Sequence, residues 1–146
     1  MIAMQTLLSN VSREMQKGGP ANAIDFCHLN ATSLTDSLSK IHVATISRIA
    51  EKNRNPENLA SAFEVSIMNE LFAENRNDTV IKSDGQFIYY KNIKLGMPTC
   101  LKCHGDVVSE IGDSTYALIQ DRYPNDKATY FKMGDLRGAW KIIFED

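Results

Sequence analysis

Cys100-Leu101-Lys102-Cys103-His104 is the most chemically loaded run in this chain. Two thiols three residues apart can each add across one vinyl group of a protoheme. A histidine directly after the second thiol is then placed to ligate the iron, so the run reads as a site of covalent haem attachment. With three cysteines and three histidines in 146 residues, random placement gives such a run on the order of one time in a thousand.

Two other chemistries use a Cys-x-x-Cys pair. A zinc site would draw on Cys27, Cys100, Cys103 and either His28 or His104, but the second paired cluster typical of zinc modules is missing, and adjacent residues rarely both reach one small ion. Thiol–disulfide exchange, with Cys100 attacking and Cys103 resolving, normally follows a strand inside a βαβ unit; here the pair follows Gly96-Met97-Pro98. Given haem, the candidates for the sixth iron ligand are Cys27, His28, His42 and the methionines, of which Met97 is close in sequence and Met133 lies in a Gly-flanked loop. From the residues alone Cys27 and His28 stand level, with Met97 behind. Arg48, Arg54 and Arg137 are candidate partners for haem propionates, since a guanidinium suits a carboxylate, although each also fits an ordinary surface or capping role. Tyr89 and Tyr123 are candidates to pack on the macrocycle or fill core, and Trp140 reads as core.

The elements that must hold these residues are legible from periodicity. Met4, Leu7, Leu8, Val11 and Met15 step along one helix face until Gly18-Gly19-Pro20 interrupts them. Pro20 suits the first turn of a second helix, on which Ile24, Cys27, Ala31 and Leu34 share a face, turning Cys27 inward. Ile41 to Ile49 reads as a strand carrying His42, and Asn55 with Pro56 starts a third helix through Leu59, Phe63, Ile67 and Leu71, ending near Glu74. Thr79–Lys82 and Gln86–Ile93 form a hairpin around Asp84-Gly85. The motif then lies where a loop enters a short helix, Tyr116–Tyr123 is helical, and Leu136–Phe144 closes the chain as a strand. Helices first, then a hairpin and a last strand, predict an α+β domain.

Composition bounds the function. A 43% hydrophobic content suits one domain spanning residues 1–146, and a net charge of −2 lacks the basic footprint of a nucleic-acid binder. No run approaches the ~20 apolar residues of a membrane span, and the first sixteen residues lack the pattern of an export signal. No triad, phosphate loop or paired metal histidines announce catalysis, so no enzyme is expected.

Five segments together carry a resemblance: Gly18 to Cys27, Arg48 with Arg54-Asn55-Pro56-Glu57-Asn58, Cys100 to Gly105, Tyr123-Pro124-Asn125-Asp126-Lys127-Ala128, and Gly134 to Ala139. In this order they resemble the PAS-like family of single c-type haem sensor domains, from about Gly18 to Ile142. The resemblance implies a PAS-like antiparallel sheet with N-terminal helices and one covalent haem c on Cys100 and Cys103. It also implies that His104 is one axial ligand and Cys27 the other, with His28 a neighbour. The chain departs at Tyr130, where the family tends to carry glycine. The implied function is a sensor of redox state or of a diatomic gas, with a small electron-transfer cytochrome as the alternative and a haem-free zinc or thiol module third. The implied setting is periplasmic, with leader and anchor absent from this chain. Expected partners are a gas ligand or redox partner, a downstream signalling output, and a second copy in a homodimer for which the first seventeen residues offer a dimerisation or linker helix.

Overall fold

The computed structural model describes residues 2–144; Met1 and residues 145–146, the ends of the expected domain, lie outside the described residues. The elements are α1 (Ile2–His42), β1 (Ala44–Ile49), α2 (Ala62–Ala73), β2 (Asp78–Ser83), β3 (Gln86–Lys94), α3 (Leu101–His104), α4 (Asp113–Arg122) and β4 (Leu136–Phe144). The four strands form one antiparallel sheet in the order β1-β4-β3-β2. The class is α+β with N-terminal helices, as the residue pattern predicts. Among the described residues no helix is long and apolar enough to cross a membrane.

α1 is two helical arms joined at a kink. Gly18 and Gly19 leave helical geometry, Gly19 taking a φ of +68°, which a residue without a Cβ adopts at little cost. Asn22 donates from Nδ2 to the Glu14 carboxylate at 2.7 Å, tying the arms across the break. The first arm lays Ala3, Met4 and Leu7 on one sheet face, against Ala44, Ile46, Trp140 and Ile142. On the other face α2 contributes Ile67, Met68 and Leu71 to a cluster with Ile49, Tyr90 and Ala139.

Two boundaries differ from the sequence expectation. Ile41 and His42 belong to α1, not to a strand, and both are exposed. The buried stripe of Ala31 and Thr35 continues to the half-buried Leu38, and the Ser39 hydroxyl accepts the Ile46 N–H at 2.9 Å, fastening the helix end to β1. Only at Val43, with a φ of +50°, does the chain turn. Likewise, Asn55 and Pro56 open one 3₁₀ turn, Pro56–Asn58, rather than the long helix. That helix starts after Ser61, which makes a reciprocal capping box with Glu64. Leu59 and Phe63 are consequently exposed, while Ile67 and Leu71 are buried. Glu64 is buried with them because its carboxylate accepts from Lys141 Nζ at 2.6 Å and from the Ser61 N–H at 2.9 Å. The hairpin forms as expected on Asp84 and Gly85, with φ of +52° and +84°, the pair of left-handed residues that a two-residue turn requires.

One irregularity interrupts the sheet beside the motif. Ile93 pairs with Gly138 but Lys94 pairs with Leu136, leaving Arg137 as the extra residue of a β-bulge. Next to it, a Cβ at Gly138 would collide with the Ile49 carbonyl and stand 3.2 Å from the Ala50 Cβ. Gly138→Ala is therefore expected to force β1 and β4 apart and destabilise the fold by about 1–3 kcal/mol, measured by denaturant titration.

Candidate functional site

The Cys-x-x-Cys-His motif is positioned by a loop that has no regular structure of its own. Pro98–Cys100 forms a 3₁₀ turn that runs into α3, placing Cys100 and Cys103 one turn apart. Residues 123–131 then fold back along the motif. Tyr130 donates its N–H to the Gly105 carbonyl at 2.8 Å and Phe131 donates to the His104 carbonyl at 2.9 Å. Gly105 leaves no room for a side chain, since a Cβ there would stand 2.7 Å from the Leu101 carbonyl. A π-helical turn, Val107–Ile111, comes next, capped by the Asp106 carboxylate. Nothing in the local periodicity foretold it.

Arg54 pins this arrangement. Its guanidinium grips Asp126 with two bonds, at 2.9 and 3.2 Å, and donates to the carbonyls of Cys103 at 2.7 Å and Ala128 at 3.2 Å. The Asp126 side chain is completely buried. The same Ala128 carbonyl accepts His104 Nδ1 at 2.8 Å. That bond fixes the ring with Nδ1 protonated and Nε2 presenting its lone pair. Burial, reinforced by Arg137 and Arg54, holds His104 well below the ordinary histidine range, so the ring is neutral. Its edge meets Phe131 at 6.2 Å between centroids.

Across from the motif lies the second arm of α1. Ile24, one turn before Cys27, packs in a cluster with Val107, Ile111, Ile119 and Tyr123, against which Cys103 also rests; Cys100 packs on Leu95, Ala128 and Phe131. Arg122 donates to Asp25 at 2.8 Å and so ties α4 to the arm two residues before Cys27. Cys27, Cys100 and Cys103 are all free thiols. Burial pushes the Cys27 thiol up, with Arg48 and Arg54 pulling the other way, and pushes Cys103 to about 11. Burial likewise raises Tyr123 to about 12, with a contribution from Cys27.

Electrostatic contacts link Cys27, Arg48, Arg54, Cys103 and Tyr123, and through Arg54 and Arg48 also Arg137 and His104. His28 is exposed on the flank of Cys27, its ring edge-on to Tyr123 at 5.2 Å. Met97 and Met133 are each 46% exposed. Tyr89 stands apart, packing against the Trp140 cluster with its hydroxyl donating to Asp78 at 2.9 Å, and Trp140 is buried as expected. Among the described residues no three His, Cys, Asp or Glu side chains converge as a metal cage.

An α+β domain with a cysteine–histidine motif pinned beneath a helix is the class that fold and site define. The model of the Tll0287-like family matches residues 1–144, and the chain belongs to that family. Among solved structures, the chain is similar to a cyanobacterial protein described as the heme-protein Tll0287. The two share 20% identity, with a TM-score of 0.69 over 98% of this chain and 92% of that one. No curated protein matches the chain.

Two substitutions test the loop. Arg54→Leu leaves the buried Asp126 charge unpaired and is expected to cost about 3–5 kcal/mol in chemical denaturation. Tyr130 holds a φ of +62° and is exposed, in a conformation that disfavours any residue with a Cβ. Tyr130→Gly is expected to stabilise the protein by about 0.5–1 kcal/mol, the strain relieved exceeding the entropy that glycine adds to the unfolded chain.

Proposed function

We propose that this domain holds one haem c through thioethers to Cys100 and Cys103, with His104 and Cys27 as axial ligands, and serves as a redox or diatomic-gas sensor. The observation that carries the reading is the His104 ring: neutral, held through Nδ1 by a backbone carbonyl, and offering Nε2 to a metal. The remaining donors fit the group. Two free thiols stand one turn apart beside that ring, and a third faces them from α1. Cys27 is chosen over His28 because it is half-buried beside Cys103 while His28 is exposed. The heme-protein description of the cyanobacterial relative supports the same reading.

Bound haem supplies an iron whose charge changes by one on reduction. Cys27, as a thiolate, donates electron density and negative charge to that iron, favouring the ferric state and a lower potential than a methionine ligand would give. Reduction would weaken the hold on Cys27, and a Cys27 free to leave would give the second arm of α1 different contacts and leave room for a diatomic gas, the two states a switch requires. Covalent attachment of haem in bacteria takes place outside the cytoplasm, so the domain works there, passing its state to a signalling output or redox partner. No residue here is assigned a catalytic role.

The test is protein made with the cytochrome c maturation machinery, followed by intact mass and by ferric and ferrous absorption spectra. The expected result is a covalent haem mass in wild type and in Cys27→Ala, a thiolate-type ferric spectrum lost in Cys27→Ala but kept in His28→Ala, and a higher midpoint potential in Cys27→Ala. Bare polypeptide mass would overturn the haem assignment. Unchanged Cys27 ligation in both oxidation states, with no gas adduct, would overturn the sensor and favour electron transfer.

A further inference from the structure

The three arginines around the site are not equivalent. Arg54 has its charge paired, holding Asp126 and two carbonyls through Nε and Nη2. Arg48, by contrast, has no hydrogen-bond acceptor and no carboxylate among the described residues. Its guanidinium carbon lies 5.9 Å from the ring centre of Trp140, the residue directly opposite it across β1 and β4. Trp140 is 2% exposed, and its Nε1–H is also without an acceptor. Arg137 donates only to the Lys52 carbonyl, at 3.1 Å, and likewise has no carboxylate. Glu51 and Lys52 line a recess of about 80 Å³ with Arg137, but among the described residues neither cation makes an ion pair with Glu51. Lys52 Nζ instead donates to the Thr129 carbonyl at 2.6 Å.

Charge and satisfaction therefore both fall short in the same place. Three guanidiniums share one carboxylate, Asp126, which is committed to Arg54. Two half-buried positive charges without a carboxylate and one buried N–H without an acceptor thus lie together, a combination that a bound anion would satisfy. The bulge in β4 gives a second indication, because it takes Arg137 out of the strand's alternation and aims it over Phe131 at 5.6 Å, the ring that the His104 edge meets.

We infer that Arg48 and Arg137 each bind one of the two propionate carboxylates of the haem, that Trp140 Nε1–H donates to the carboxylate held by Arg48, and that Arg54 binds neither. This rests on the proposed haem site. A haem side-chain pair brings two negative charges to two unpaired guanidiniums, matching them in number and in geometry, since a guanidinium meets a carboxylate through two parallel bonds. The Cys27 thiolate would not take the propionate's place beside Arg48, because its charge would be answered by the iron it ligates. Burial and the neighbouring Arg54 push Arg137 down to about 10, and burial lowers Arg48 as well, so the site disfavours these charges until an anion joins them.

The test uses the holoprotein. Intact mass first establishes that each variant carries covalent haem; loss of haem from wild type would sink the underlying reading, not this assignment. Resonance Raman spectra then report the propionate bending bands, which track hydrogen bonding at each carboxylate. Arg48→Gln is expected to shift one band down and Arg137→Gln the other, with Trp140→Phe moving the same band as Arg48→Gln. Arg48→Lys and Arg137→Lys, which retain the charge, are expected to recover at least half of each shift, a rescue that a merely structural role would not produce. Arg54→Lys is expected to move neither. Unshifted bands in both glutamine variants, or shifts in the Arg54 variant alone, would overturn the assignment. If a glutamine variant fails to fold, the methionine variant at that position, which removes charge and donors but keeps an apolar side chain of similar length, takes its place: a band shifted down supports the assignment and an unshifted band contradicts it.

Discussion

Everything at the motif hangs on one carbonyl oxygen, that of Ala128. It accepts from His104 Nδ1 and from Arg54 at once, and Ala128 is 0% exposed, so neither bond has water as a substitute. Asp126 completes the arrangement, taking the Arg54 fork on its carboxylate while also accepting the Ala128 N–H at 3.0 Å. A loop without helix or strand thereby becomes rigid, because its backbone groups are answered by two buried side chains rather than by a ladder. The orientation of the His104 ring is thus fixed by Arg54, far upstream, and by Ala128, 24 residues downstream, not by α3, which is only four residues long.

That division of labour explains why the arginines cannot be exchanged. Arg54 must have its charge paired by the protein if the loop is to be rigid before any ligand arrives, and a guanidinium fork meets both oxygens of a carboxylate while still reaching two carbonyls, which the three donors of an ammonium cannot do. Arg48 and Arg137 are left over. Their positions come from different devices, Arg48 from ordinary strand alternation on the Trp140 face and Arg137 from the bulge that breaks alternation. Two routes leading to the same unpaired positive charge mark it as a property of the site rather than an accident of one strand.

How much of this is legible in the amino-acid sequence depends on how local each feature is. The hairpin on Asp84-Gly85, the break at Gly18-Gly19 and the inward face of Ile24, Cys27 and Ala31 depend on residues a few positions apart, and the pattern carries them. The strand expected from Ile41 begins instead at Ala44, because Ile41 and His42 lie on the last turn of a helix whose end is fastened by Ser39 bonding Ile46, a tertiary contact. Leu59 and Phe63 fail for a similar reason: a four-residue spacing looks like a helix face, but Ser61 and Glu64 start the helix later and turn a different set of residues inward. At the site, the motif and its cysteine partner are legible as residue types. The distinction among three arginines is not, since it depends on which one a distant aspartate takes. Tyr130 lies between these cases, because its departure from glycine is visible in the sequence but acquires meaning only with its φ of +62°.

The kink in α1 gives the proposed switch its mechanical setting. The first arm is committed to the sheet through Ala3, Met4 and Leu7, whereas the second, bearing Cys27, is held at its start by Glu14–Asn22 across the glycines and at Asp25 by Arg122. The Asp25–Arg122 pair is partly exposed on both sides and is worth little by itself. The apolar cluster around Ile24 supplies most of the hold. A ligand bond at Cys27 would add an attachment midway along an arm otherwise held by the hydrogen bond at the glycine hinge, the Asp25–Arg122 pair, the cluster around Ile24 and, at its far end, Leu38 and Ser39 against the sheet. Making and breaking that bond would then change the arm's contacts while leaving the sheet and the Arg54 loop in place, with His104 held by Ala128 as the fixed reference.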